Sequence, residues 1–458
     1  MVDLNKINYV HFIGIGGIGI SAAAGILKRR SFVVSGSDTQ ESEMTANLRQ
    51  SGILVYVPHN ADIINNEIGL IVYSVAVPED NPERASAREL NIPEMTYPQL
   101  LGEIMKGKIG IGISGTDGKT TTTAMLAKIM IDADLDPSVV LGSQAEFLDD
   151  NCRLGKSKYF VFEGDEYRRA FDNYEPQIAV ITNVGVDHLD YYKSGMEYLG
   201  AFEKYLNKLP ADGFAIINND DARSVEAGSN CPARKVTYGI NNSADYAVKN
   251  IRVIDGRQEF SVLENGEAAA TITLGLPGHY NVSNALAAIA AARQLDVGWD
   301  AIVKSLDSFK GTWRRFEKLG KLGNAEVIAD YAHTPPAIKQ VIAAMKEFYP
   351  DKKILYVFQP HQYARTKNLF SEFVSAFSEA EKAVIVDIFY VAGRERPEDY
   401  DVSSQILANA ISEGGVDAVY GGSLKETEYA VRDLADQYDV IMVLGAGDIY
   451  GLAKNLVK

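Results

Sequence analysis

Short apolar runs recur along this chain. Between them lie longer stretches in which apolar residues return every three or four positions. The runs YVHFI (9–13), FVVSG (32–36) and GLIVYS (69–74) fall in a first block. KIGIGI (108–113), YFVFE (159–163), IAVIT (178–182) and FAIIN (214–218) form a second, and AEVIAD (325–330), KILYVF (353–358), AVIVD (383–387) and DVIMVL (439–444) a third. Nearly continuous apolar strands separated by helical patterns predict an α/β protein, with parallel sheets covered by helices. The rhythm changes between 248 and 275. There IRVI, EFSVL and ATITL, joined by Asp255-Gly256 and Asn265-Gly266, read as a small antiparallel meander. Gly107 precedes the second block and Lys310-Gly311 the third. The expected domains are therefore a Rossmann-like domain over 1–106, a central domain with the meander over 107–311, and a second Rossmann-like domain over 312–458.

Composition narrows the class. A chain of 458 residues, 46% apolar and 23% charged, has the balance of an ordinary globular protein of about three domains. Forty-five basic against 61 acidic residues leave a net charge of −16, which argues against a nucleic-acid binder but not against a nucleotide site built from a few local donors. Cys152 and Cys231 are far apart and form no Cys-x-x-Cys, so neither a disulfide framework nor a structural zinc is expected, in keeping with a cytoplasmic setting. The stretch from Val10 to Leu27 is apolar enough to resemble a membrane span. Gly14, Gly16, Gly17, Gly19 and Gly25 interrupt it, however, and a strand turning into a helix explains it better. No membrane and no nucleic acid are expected as partners.

Two glycine loops carry the candidate chemistry. Gly14-Ile15-Gly16-Gly17-Ile18-Gly19 follows the strand YVHFI and opens an alanine-rich helix in the spacing G-x-G-x-x-G. Such a loop lets the backbone approach a pyrophosphate at a helix N-terminus, where free N–H groups and the dipole favour an anion. Asp38, about 20 residues on, stands where such folds place a ribose-binding acid. The spacing leaves NAD, FAD and a UDP-sugar open.

The second loop is Ser114-Gly115-Thr116-Asp117-Gly118-Lys119-Thr120-Thr121, between KIGIGI and the helix AMLAKIM. It is a short G-x-x-G-K-T form of the P-loop, since position 113 is Ile rather than Gly. Backbone amides from Gly115, Thr116 and Gly118 to Thr121 cradle phosphates in such a loop, Lys119 reaches the terminal ones, and Thr120 offers an oxygen to Mg²⁺. Strand YFVFE ends at Glu163, and His188 follows IAVIT in the string DHLDYY. At the carboxyl ends of neighbouring parallel strands, Thr120, Glu163 and His188 are expected to converge on metal.

The strings HFIGIGGIGIS, GTDGKTTTTAM, VFEGDEY, ITNVGVDHLDYY, LPGHYNVSNALAA, FKGTWRRFE, DYAHTPPAI, VFQPHQYARTK and VLGAGDI run nearly the whole length of the chain. In this order they resemble the Mur ligases of peptidoglycan synthesis, and most of all the L-alanine-adding type. The resemblance implies an ATP-dependent ligase that joins UDP-N-acetylmuramate to L-alanine through an acyl phosphate, with Mg²⁺, acting as a monomer or homodimer. It assigns Gly14, Gly16, Gly17, Gly19, Asp38 and Ser74, with help from Asn81, to the UDP-sugar. Asn281 and Asn284 are placed near adenine, Arg315 on the phosphates and Asp330 by the ribose. His333 and Arg365 would face the amino acid and acyl phosphate. Asp117, Tyr280 and Gln362 depart from the family strings. Two neighbouring readings are a murein-peptide recycling ligase and a silent homologue that binds UDP-sugar or ATP.

Overall fold

The computed structural model describes all residues except Met1, Asp149, Val186, Asp187, Leu189, Asp190, Ala392, Gly393, Arg394 and Arg396. Three sheets form, and each is built largely from the apolar runs of one block.

The first sheet has five parallel strands in the spatial order Leu54–Tyr56, Val33–Ser37, Tyr9–Ile13, Leu70–Tyr73, Glu94–Thr96. The chain order reverses on either side of Tyr9–Ile13. The crevice beyond the carboxyl ends of Tyr9–Ile13 and Leu70–Tyr73 is thus the switch point where an open α/β sheet binds ligands. The glycine loop leaves the first of these strands and Ser74 follows the second.

The central sheet carries ten strands. At its middle, Ile109–Ser114 lies between Ile178–Ile181 and Tyr159–Glu163, all parallel. These central strands are apolar on both faces because helices cover both. The stretch expected as a small antiparallel meander is three strands, Tyr246–Ile254, Arg257–Glu264 and Glu267–Leu274, that continue this sheet to its edge. Its two-residue turns have both central residues at positive φ (Asp255 50° and Gly256 68°, Asn265 53° and Gly266 87°), the type I′ geometry that matches strand twist. Attachment comes from Tyr246, which pairs in parallel with Tyr238 of the preceding strand.

The third sheet has five parallel strands and an antiparallel edge strand, Glu317–Leu322, next to Ala325–Asp330. Val440–Leu444 is inserted between Ala325–Asp330 and Ile354–Phe358. The loops after these three strands therefore share one end of the sheet.

Contacts divide the chain into two compact units. One is Met1–Asn250, Phe260–Ile272 and Val282–Phe309; the other is Ile251–Glu259, Thr273–Asn281 and Lys310–Lys458. The first sheet and most of the central sheet lie in one unit because they share a core. A single apolar cluster runs from Val10, Ala22 and Leu27 through Val140 and Cys152 to Phe160 and Tyr205. Polar bonds reinforce it: Asn151 Nδ2 donates to Ile18 O and Ser21 Oγ, and Arg29 Nη1 donates to Cys152 Sγ. No helix among the described residues is long and apolar enough to cross a membrane.

Candidate active site

The first glycine loop is held from below. Gly14 turns at φ 77°, and the N–H groups of Gly14 and Ile15 both donate to Ser37 O at the end of the adjacent strand. Ser74 flanks the loop, since a Cβ on Gly14 would lie 3.2 Å from Ser74 Cβ. Asp38 braces the same loop. Its Oδ2 accepts from Gly16 N at 2.8 Å and its Oδ1 from Thr39 N at 2.7 Å. Gly17 caps the helix Ile18–Arg29 at its N-terminus, and Gly19 lies in its first turn against the Tyr97 ring. Asn81 is buried as the N-cap of Pro82–Glu89, where its Oδ1 accepts from Glu83 N and Arg84 N.

The phosphate-type loop joins Ile109–Ser114 to the helix Lys119–Asp132, with Gly118 as a left-handed N-cap at φ 82°. The loop is fastened to the end of the neighbouring strand Ile178–Ile181. Thr116 N donates to Asn183 O, Asp117 N to Asn183 Oδ1, and Thr182 Oγ1 to Asp117 O. The Asp117 residue is exposed while its backbone is pinned in this way. Lys119 Nζ folds back into the loop, donating to Gly115 O, Thr116 O and both carboxylate oxygens of Glu166 (3.1 and 2.9 Å). Burial works against charge on Lys119, but Glu166 and neighbouring acids outweigh it and hold the lysine pKa above its usual range.

Thr120 Oγ1 donates to Glu163 Oε2 at 3.0 Å, and Glu163 Oε1 accepts from Gly142 N. Burial pushes the Glu163 carboxyl above its ordinary value. His188, at φ 56°, brings Nε2 to 3.6 Å from Glu166 Oε1. Asp187 and Asp190, which flank it, lie outside the described residues. On the other side Asn284 packs against the loop, where its Oδ1 accepts from Thr122 Oγ1 at 3.3 Å.

In the second unit, Asp330, His333, Arg315, His361 and Arg365 gather at the strand ends. The Asp330 carboxylate accepts from Phe316 N through Oδ2 and from Ala332 N through Oδ1, so it ties the linker after Lys310 to the sheet. His333 Nδ1 lies 3.0 Å from Tyr331 O. A carbonyl only accepts, so Nδ1 carries the proton and the lone pair is on Nε2. Burial, then the Arg365 cation, drives the His333 pKa down to about 3, so this ring is neutral at physiological pH. The His333 ring meets His361 edge-on at 5.9 Å, and His361 stacks on Phe389. Arg315 stands over the Tyr331 ring at 4.9 Å. Arg314 is committed elsewhere: its Nη2 donates to Gly445 O and Gly447 O, and its guanidinium lies over the rings of Trp313, Tyr331 and Tyr450. Asn281 donates through Nδ2 to Pro277 O at 2.7 Å, bracing the turn into its helix.

Residues 9–109, 113–292 and 314–447 match, in turn, the Mur ligase family catalytic domain, the Mur ligase middle domain and the Mur ligase glutamate ligase domain. The UDP-N-acetylmuramate–L-alanine ligase of Clostridium novyi is 42% identical over 457 residues, spanning 100% of this chain and 98% of its own. That of Aquifex aeolicus is 40% identical over 453 residues, spanning 99% and 98%. The chain belongs to the Mur ligase family. Among solved structures, this Mur ligase is similar to the UDP-N-acetylmuramate–alanine ligase MurC of Thermotoga maritima, with a TM-score of 0.85, 30% identity and 98% of each chain covered. A murein peptide ligase from Psychrobacter arcticus shares the fold with a TM-score of 0.72 at 22% identity, covering 98% of both chains.

The Mur ligase brings Thr120 and Glu163 together beside Lys119, and it also sets Asn284 against the loop through Thr122. It sets His188 beside Glu166 rather than beside Glu163. Of the arginine pair it leaves Arg315 as the one whose guanidinium is not spent on backbone carbonyls. Sequence reasoning missed Thr182 and Tyr198, and it gave Asn183 and Glu166 no role of their own. Glu166 was one acid among three in EGDEY, and only the direction taken by Lys119 distinguishes it.

Proposed function

We propose that this Mur ligase forms the amide bond between the carboxylate of UDP-N-acetylmuramate and the amino group of L-alanine, using ATP. A free carboxylate resists amine attack because oxide is a poor leaving group. Transfer of the γ-phosphoryl group to the carboxylate gives an acyl phosphate. The amine then attacks the acyl carbon, and inorganic phosphate departs with the bridging oxygen. Most of the acceleration in such a step comes from positioning and from cations facing the transferred group.

The observation that carries this reading is the apposition of Lys119 with the Thr120–Glu163 oxygen pair at the carboxyl ends of neighbouring parallel strands. Lys119 and the loop amides of Gly115, Thr116, Gly118, Thr120 and Thr121 would hold the triphosphate. The Thr120 hydroxyl and the Glu163 carboxylate, 3.0 Å apart, fit Mg²⁺, which takes one or two carboxylate-type ligands and fills its shell with phosphate and water. When bound, that ion would neutralise charge on the γ-phosphate. His188, which stands beside Glu166, would be a further candidate ligand. Gly14, Gly16, Gly17, Gly19 and Ser74 would take the diphosphate of the UDP-sugar, with Asp38 holding the loop in shape. Asn284 and Asn281 would shape the nucleotide side. Asp330 fixes the backbone at Phe316, next to Arg315, for which a phosphate-binding role is proposed. Neutral His333, with its lone pair on Nε2, would accept a hydrogen bond from the amino group of the incoming amino acid, and Arg365 would face the carboxylate of the amino acid.

The reading is tested by incubating the protein with ATP, Mg²⁺ and UDP-N-acetylmuramate and adding each amino acid in turn while phosphate release is followed. Release with L-alanine is the expected result. Release only with a tripeptide would assign the protein to peptide recycling, and the absence of release with every acceptor would make it a silent homologue.

A further inference from the structure

Glu166 is wholly buried, yet it is an acid in the wall of a site built for a polyanion. Its carboxylate bonds Lys119 Nζ through both oxygens, accepts from Tyr198 OH at 3.1 Å and faces His188 Nε2 at 3.6 Å. Its backbone carbonyl accepts from Tyr192 OH. Tyr192 and Tyr198 are themselves fully buried, so the acid is held from behind by two aromatic residues. The same Tyr198 hydroxyl lies 3.0 Å from Thr116 Oγ1, which accepts from Gly185 N at 2.7 Å. Glu166 is therefore linked to the phosphate loop at two points, Lys119 and Thr116.

An ammonium group has three protons to give. In this structure Lys119 faces two loop carbonyls and two carboxylate oxygens, all belonging to the protein. Four acceptors already share its three protons, so a phosphate oxygen that binds Lys119 competes with the two carbonyls and with Glu166, the anionic acceptor among them.

We infer that Glu166 is a positioning residue for Lys119, an internal anion that fixes the lysine in the loop and for which the terminal phosphates of the nucleotide compete. This inference rests on the phosphate-loop reading proposed above. It has a consequence that a merely structural acid lacks. Removing the charge should make nucleotide binding tighter, because a competing anion is gone, while turnover falls, because the lysine loses the group that aims it.

The test measures binding of Mg·ADP and of a non-hydrolysable ATP analogue, together with kcat and the KM of each substrate, in the wild type, Glu166→Gln and Lys119→Ala. For Glu166→Gln we expect nucleotide affinity to rise about tenfold, in line with loss of one close charge pair, kcat to fall about tenfold, and KM for L-alanine and the UDP-sugar to stay within about twofold. Unchanged or weaker nucleotide binding in Glu166→Gln would overturn the inference, as would a parallel loss of all three substrates' binding with a lowered melting temperature. If Glu166→Gln does not fold, Glu166→Asp withdraws the carboxylate by one carbon and keeps its charge. The same opposed shifts, smaller in size, are then expected, and a parallel loss overturns the idea. Lys119→Ala separates the two claims. If the wild type binds no nucleotide, the phosphate-loop reading falls and this inference with it. If the wild type binds and Lys119→Ala does not, an unshifted Glu166→Gln sinks the inference alone.

Discussion

Gly118→Ala is the most informative single change to the loop. Gly118 sits at φ 82° and ψ −10°, a left-handed conformation that places a Cβ against the backbone of an L-residue at a cost of roughly 1 to 2 kcal/mol. The new methyl would also overlap Asn284 Oδ1. Asn284 must then withdraw and give up its bond from Thr122 Oγ1, worth about 1 kcal/mol. Together these terms come to about 2 to 3 kcal/mol, and the loop relieves them by turning its amides away from the phosphates. At 1.4 kcal/mol per factor of ten, kcat/KM for ATP should fall by roughly 30- to 150-fold. Gly52→Ala is the matched control. Its φ is 81°, and a Cβ there meets nothing within 4 Å, so it carries the same backbone strain without the collision and lies far from the loop in sequence. Steady-state kinetics at saturating UDP-N-acetylmuramate and L-alanine should show the loss in Gly118→Ala only. Equal losses in both variants, or wild-type kcat/KM for ATP in Gly118→Ala, would refute the reasoning.

Further outcomes follow from other parts of the structure. Lys119→Ala should abolish turnover and leave UDP-sugar binding, measured by calorimetry, within about twofold, because the sugar loop belongs to a different sheet. Arg314→Lys should lower the melting temperature, since two carbonyl bonds and three ring contacts are lost, whereas Arg315→Ala should reduce kcat with little change in melting. Glu83 is fully buried; burial raises its pKa, but hydrogen bonds from His11, His59 and Ser37 outweigh this and hold it at about 2, below the ordinary 4.5. A carboxyl depressed in this way contributes stability above the unfolded value, here roughly 3 kcal/mol, and that contribution fades as pH falls from about 4.5 to 2. Denaturant unfolding of the wild type and Glu83→Gln should therefore differ most near pH 6 and converge near pH 2; a constant difference would contradict this assignment.

The parts of the fold that were legible in the sequence are those fixed by local rules. Strands buried on both faces read as continuous apolar runs, and the two loops are readable because only glycine tolerates their backbone or their close approaches. Glu317–Leu322, with the sequence EKLGKL, escaped notice because it is an antiparallel edge with polar residues on its open face. Leu54–Tyr56 and Glu94–Thr96 are three residues each, too short for any period to show. The meander was recognised by its turns, but its attachment to the central sheet depends on the Tyr238–Tyr246 pairing, a partnership of strands that no local pattern encodes.

The site divides in the same way. Motif spacing selected Lys119, Thr120 and Glu163, whose places follow from strand ends. Arg315 was assigned through the family resemblance alone; what sets it apart from Arg314 is the bonding of Arg314 to the carbonyls of Gly445 and Gly447, some 130 residues away in the chain. Motif spacing did not show that Asn81, assigned to the UDP-sugar, caps a helix, or that both oxygens of Asp330 serve backbone amides. Glu166 is the extreme case, since its part is defined entirely by the side chains that surround it.

The central claim is that phosphoryl transfer to the sugar carboxylate precedes amide formation. It is tested most directly with UDP-N-acetylmuramate carrying ¹⁸O in its carboxylate, turned over with ATP and L-alanine. The account predicts one ¹⁸O atom in each inorganic phosphate released, because the bridging oxygen of the acyl phosphate leaves with phosphorus. Phosphate free of label, with amide product formed at the normal rate, would contradict it.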